Sequence, residues 1–179
     1  MKFNPDLHHR RSIRLKGYDY SRNSAYFVTM CSWERESIFG ELVDGEMRLN
    51  YWGLIIDATW CWLGKQYPYL ELEDYVVMPN HLHGILLFDR CKGGSRTAPT
   101  GKTKPLGQIL GAFKTRSTKL VNEFRQTPGA PIWQRNYYER IIRNQGELNR
   151  MGDYIVSNPV NWIDDENNPT NVGIQDMIF

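Results

Sequence analysis

The sequence predicts an α+β domain of ferredoxin-like type, a βαββαβ antiparallel sheet with an inserted β-hairpin and an extra C-terminal helix. Three observations carry this: short aromatic and β-branched runs bounded by turn residues, long segments with helical apolar spacing, and the order in which they alternate. With the hairpin set aside, the order is strand, helix, strand, strand, helix, strand, which is the split pattern of that fold, followed by one more helix.

Residues 25–32, "AYFVTMCS", read as the first strand. In "SIFGELVDGEMRLN", Asp44-Gly45 separates two short runs and marks the hairpin, because a type I′ turn needs positive φ at its centre. Asn50 can cap a helix from Tyr51 to about Gln66, whose Trp52, Ile55, Ile56, Trp60 and Leu63 are expected to face the core. Pro68 stops it. "LELEDYVVM" and "HLHGILLF" are two strands separated by Pro79-Asn80, an antiparallel pair expected at the centre of the sheet. The segment "DRCKGGSRTAPTGKTK" has no periodicity and reads as a long loop. From Leu106, the positions Ile109, Leu110, Phe113, Leu120 and Phe124 give a second amphipathic helix, leaving Lys114, Arg116 and Lys119 outside the apolar arc. "PIWQRNYYERII" is the last strand candidate. Asn144 with Glu147 makes a capping box for a third helix that ends before Pro159.

The 179 residues suit one domain, assigned to 1–162 with an acidic tail over 163–179. A hydrophobic share of 41% with 13% aromatic residues argues against disorder. Cys31, Cys61 and Cys91 form neither a disulfide framework nor a C-x-x-C site. With no apolar run near the ~18 residues of a membrane span, a soluble cytoplasmic protein is expected. Residues 1–160 hold 22 basic against 16 acidic side chains, a net of +6, while residues 161–179 carry Asp164, Asp165, Glu166 and Asp176 and no Lys or Arg. A basic body suits phosphate neutralisation, although charge alone fits an ordinary solvated surface better.

The chemistry starts at "VVMPNHLHGILLF". On a strand, His81 and His83 share one face and Leu82 takes the other. Two imidazoles on neighbouring same-face positions can hold one divalent ion, or they can be satisfied by carbonyls at a half-exposed surface. On the third helix, Leu148, Met151 and Ile155 mark the buried stripe, and Gly152 permits close approach to the sheet. Tyr154 and Asn158, four residues apart, lie together at its border. They read as partners of the histidines, or as a boundary tyrosine and a helix-ending amide.

The segments "HHRRSIRLKGYDY", "AYFVTM", "DYVVMPNHLHGILLF", "LGQILGAFKTRSTKLVNEFR", "WQRNYYERIIRN" and "DYIVSNPVNW" resemble, in content and order, the HUH (His-hydrophobic-His) single-tyrosine transposases. Within that family they are most similar to the REP-associated tyrosine transposase-like group, over most of residues 8–162. The resemblance implies His81 and His83 as metal ligands, Asn158 as the third ligand and Tyr154 as a nucleophile that attacks DNA. It implies magnesium or manganese as the ion, and a hairpin-bearing single-stranded DNA as partner, cut through a 5′-phosphotyrosine intermediate. It leaves a homodimer open, since relatives include dimers, and it places the protein at the nucleoid when bound to DNA. Arg10, Arg11, Arg14, Lys16, Lys114, Arg116 and Lys119 are candidates for phosphate contacts, and Arg135 could approach a nucleotide. Tyr137 and Tyr138 are rival tyrosines, read as core or base-stacking residues. The expected activity is thus a metal-dependent DNA endonuclease and strand transferase. A domesticated, non-cleaving hairpin-DNA binder is the alternative, and an RNA-binding module a more distant one.

Overall fold

Strand β1 (Ala25–Cys31) runs through the interior of the sheet, antiparallel to β5 (His81–Phe88) on one side and to β6 (Tyr138–Ile142) on the other. Strand β4 (Leu70–Val77) closes the far side of β5, so the order is β4-β5-β1-β6 with every neighbour antiparallel. A separate hairpin of β2 (Gly40–Val43) and β3 (Glu46–Leu49) turns at Asp44 and Gly45, with φ of 53° and 78° as the turn signal requires. Helices α1 (Tyr51–Gln66), α2 (Leu106–Arg125) and α3 (Gln145–Ser157) complete the α+β architecture. The computed structural model describes residues 24–89, 103–165, 167–169 and 171. Arg10, Arg11, Arg14, Lys16 and nearly all of the long loop after Asp89 lie outside them.

Alternation along the strands gives the sheet two unlike faces. Tyr26, Val28 and Met30 of β1, with Leu82 and Leu86 of β5, bury against Ile56, Trp60 and Leu63 of α1 and Ile109, Leu110 and Phe113 of α2. The opposite face is thinner: Phe27, Ile85 and Ile142 are covered by Ile155, Leu148 and Met151 of α3. His81 and His83 emerge on this second face.

Local chemistry sets the element ends. The Asn50 Oδ1 accepts from the N–H groups of Trp52 and Gly53 at 2.9 and 3.0 Å, capping α1. At α3, Asn144 Oδ1 accepts from Glu147 N–H, while the Glu147 carboxylate accepts from the N–H of Arg143, one residue ahead of the expected capping-box partner. A Cβ at Gly152 would lie 2.5 Å from Asp74 Oδ2, the end of an exposed side chain, so α3 runs close to β4 at this point.

Three expectations change. The pair β4–β5 is not the centre of the sheet: β4 lies at the edge, and β5 and β1 are the central strands. The final strand starts only at Tyr138, because Lys114 Nζ donates to the carbonyls of Gln134 and Asn136 at 2.8 Å each and holds that stretch against α2; upstream, Trp133 makes only an isolated bridge to Ser32. Phe124 is not a core residue. It is 55% exposed and stacks on Tyr51 with ring centroids 4.3 Å apart.

Gly84, next to His83, is where β5 presses closely on α1. A Cβ there would stand 2.4 Å from Trp60 Cζ2, and Trp60 is itself fully buried against Phe113. Gly84→Ala is expected to cost about 1–3 kcal/mol, as over-packing of a filled core does. Urea unfolding should show a lower midpoint at an unchanged m-value; an unchanged midpoint would mean that Trp60 repacks freely.

Candidate active site

The two histidines are 0% and 2% exposed, with ring centroids 4.4 Å apart. Register places them opposite β1, His83 facing Thr29 and His81 facing Cys31. Each Nδ1 has a polar partner at 2.8 Å: Thr29 Oγ1 for His83 and Asn80 Oδ1 for His81. Phe27 stacks on the His83 ring at 5.3 Å, and Trp162 tilts over His81 at 5.7 Å. Both rings are thus held by a hydrogen bond on one edge and an aromatic wall beside it.

Helix α3 brings Tyr154 and Asn158 to the same place, as the i, i+4 spacing predicted. The Tyr154 hydroxyl lies 3.5 Å from His83 Nε2, and its ring packs on His83 and Phe27 at 5.2 and 5.9 Å. Tyr154 remains 40% exposed, open to a ligand, whereas Asn158 is buried. Asn158 Nδ2 donates to Asp165 Oδ2 at 2.8 Å, and the N–H of Asn167 donates to Asp165 Oδ1 at 2.6 Å. Past the 3-10 turn of Trp162–Asp164, the chain folds back: Asp165, Asn167 and Asn168 are all buried.

Two polar atoms at this meeting point are left without a partner. His81 Nε2 and Asn158 Oδ1 are buried and make no hydrogen bond. A buried, unpaired polar atom is costly, and several converging acceptors are satisfied together by a cation. His81, His83 and Asp165 offer ligand atoms within 4.8 Å of one another, near enough for one ion with bonds of roughly 2.1 Å to gather them by small side-chain shifts. These three residues could bind a metal ion. Burial keeps both imidazoles in the neutral form that ligation needs. It pulls His81 down to about 4, against the opposing Asp165 charge and Asn158 side chain and with help from Arg35, and it holds His83 well below its ordinary range, with His81 adding to the effect.

Beside the histidines opens a cleft of about 640 Å³, walled by Tyr154 and Met151 of α3, Tyr137, Tyr138 and Arg140 at the sheet edge, and Arg35, Arg150 and Gln134. Three guanidinium groups in one cleft beside the Tyr154 hydroxyl suit an anionic ligand. Tyr138 is 48% exposed in this wall, while Tyr137 packs on the main core and under Lys114, whose ammonium lies 5.7 Å from its ring.

The proposed phosphate contacts are not gathered in one place. Lys114 spends two of its hydrogens on carbonyls, and burial pushes its ammonium down to about 8. Arg116 lies 4.6 Å over the Trp62 ring, on the α1–α2 side. Lys119, paired with Glu123 at 3.7 Å, and the exposed Arg135 line a second groove of about 820 Å³ that meets the first at Gln134. Sequence reasoning missed Thr29, Asn80, Asp165, Arg35, Arg140 and Arg150. Thr29 carried a signal, a polar residue on the histidine face of an apolar strand; Asp165, within an apparent acidic tail, carried none.

No family model matches the chain. An uncharacterized protein of Haemophilus influenzae is 34% identical over 175 residues, covering 92% of this chain and 96% of that protein. Among solved structures, a REP-associated tyrosine transposase bound to a REP hairpin superposes with a TM-score of 0.58 over 84% of this chain and 74% of its own, at 18% identity. A candidate transposase from Deinococcus radiodurans gives a TM-score of 0.46 at 14% identity, over 80% of this chain and 95% of its own. The first of these two likenesses shows a transposase-like fold.

The buried neutral histidines predict how stability depends on pH in chelator-treated protein. The unfolded chain takes up a proton on each ring near pH 6.5 and the folded chain resists it, so this contribution is whole above pH 6.5 and is lost as pH falls toward 4. For His81 the loss is on the order of 3 kcal/mol. Urea unfolding in chelator across that window should show the decline, and His81→Asn should flatten it.

Proposed function

We propose that this chain, which belongs to one family with the Haemophilus influenzae protein, is a metal-dependent endonuclease and strand transferase acting on hairpin-bearing single-stranded DNA. The observation that carries the reading is the meeting of Tyr154 with the buried pair His81 and His83 on the thin face of a transposase-like sheet. The ferredoxin-like assignment is supported by the strand order β4-β5-β1-β6. The REP hairpin held by the structural neighbour supports a hairpin substrate.

His81, His83 and Asp165, with Asn158 beside them, would hold the ion through imidazole nitrogens and oxygens, a donor set that suits manganese and accommodates magnesium. A divalent ion there would supply Lewis-acid stabilisation of the charge that develops on the phosphoryl oxygens. Arg35, Arg140 and Arg150 orient the sugar-phosphate chain along the cleft. The Tyr154 phenolic oxygen attacks phosphorus after losing its proton to solvent; the bond from phosphorus to the 3′-oxygen breaks, and that oxygen takes a proton from water. The product is a 5′-phosphotyrosine and a free 3′-OH. Because the ester is kept, a second 3′-OH can reverse the step and join strands without ATP. Tyr154 is exposed enough to reach a phosphate, while Phe27 and His83 fix its ring.

Labelled hairpin single strands incubated with protein and manganese should give a covalent adduct on a denaturing gel. Tyr154→Phe should abolish it with binding retained. His83→Ala should lower the cleavage rate at least ~100-fold, the effect of about 3 kcal/mol at the transition state. Retained binding with no adduct across many hairpins would favour the domesticated, non-cleaving binder. An adduct that survives Tyr154→Phe but vanishes on Tyr138→Phe would overturn the nucleophile assignment.

A further inference from the structure

Asn80 is the last of the three residues that join β4 to β5 and is fully buried. Its side-chain amide is committed in every direction. Nδ2 donates to the carbonyl of Arg35 at 3.0 Å and to the carbonyl of Asn167 at 2.7 Å. Both partners are pure acceptors, so the NH2 group must face them and the amide cannot be turned over. Oδ1 is then the atom 2.8 Å from His81 Nδ1. An amide oxygen can only accept, so that nitrogen must carry the hydrogen. In a neutral imidazole the lone pair is then left on Nε2, the atom that is buried without a hydrogen bond beside Asn158 Oδ1 and Asp165.

We infer that Asn80 is a positioning residue that locks His81 as the Nδ1–H tautomer and so aims the Nε2 lone pair into the acceptor cluster. Its use in holding metal rests on the function proposed above. The lock depends on two distant segments. The Arg35 carbonyl sits at the end of a 3-10 turn where Glu34 and Arg35 both have positive φ, 54° and 57°. The Asn167 carbonyl belongs to the segment that carries Asp165, so one amide ties the carboxylate segment to the imidazole that would share its ion. The Asn80 carbonyl also accepts from Ser32 N–H at 2.8 Å, pinning the turn to the end of β1. Outer-shell partners of ligating histidines typically change metal affinity 10–100-fold when removed.

The test is long-range ¹H–¹⁵N correlation on metal-free, ¹⁵N-labelled full chain at pH 7.5, with manganese affinity measured separately by tryptophan quenching. The wild type should show His81 as the Nδ1–H tautomer. Asn80→Ala should move His81 toward the Nε2–H form, leave His83 unchanged and weaken manganese binding at least ~10-fold. A wild-type His81 protonated on Nε2 would overturn the inference even if Asn80→Ala fails to fold. So would Asn80→Ala with an unchanged tautomer and unchanged affinity. A wild type that shows the Nδ1–H tautomer but binds no manganese supports the lock and overturns the metal reading instead.

Discussion

Two imidazoles buried on one face of a central strand impose a constraint that the surrounding structure answers. Each ring brings a polar edge into a region from which water is excluded, and an unpaired polar atom there costs free energy comparable to a lost hydrogen bond. Thr29 and Asn80 satisfy the Nδ1 edges. On the other edge, His83 has the Tyr154 hydroxyl at 3.5 Å and His81 Nε2 has no hydrogen-bond partner, with a carboxylate and an amide oxygen close by. His81, His83 and Asp165 in this arrangement could bind a metal ion. The same burial that makes it costly keeps the rings neutral, which is the state a metal requires.

The asymmetry of the sheet makes room for this. One face is filled by α1 and α2 around Trp60 and Phe113, a core dense enough that Gly84 cannot carry a side chain without pressing on Trp60. The rigid side holds β5 in place. The opposite face has one helix and a returning C-terminal segment, which leaves a cleft at the β6 edge. Side chains projecting from packed strands and a docked helix are held more closely than loop residues would be, and the proposed phosphoryl transfer would tolerate little misplacement. Tyr154 illustrates the compromise: its ring is braced by Phe27 and His83 while its surface stays accessible.

The basic residues divide by what they touch. Arg35, Arg140 and Arg150 meet in the cleft although they come from a turn, a strand and a helix. Lys114, which by sequence belongs with Arg116 and Lys119 on an open helix face, is a strut whose ammonium organises the chain before β6. A cation with two carbonyl partners and a depressed pKa has little left for a phosphate.

By itself the sequence determined what depends on neighbours within a few residues. Period-two alternation put His81 and His83 on one face with Leu82 on the other, Asp44-Gly45 set the hairpin, Asn50 and Asn144 set helix starts, and i, i+4 spacing joined Tyr154 to Asn158. Those terms are local and leave a pattern in the chain. Tertiary structure alone decided which distant groups complete the site. Asp165 looked like part of an acidic tail, and only the turn after Trp162 carries it to the histidines. Asn80 looked like a turn residue, and only its bonds to Arg35 and to Asn167, 87 positions away, fix which nitrogen of His81 bears the lone pair. Hydrogen-bond direction and ligand geometry are set by atoms within about 3 Å in space, whatever their separation along the chain, and no periodicity records that.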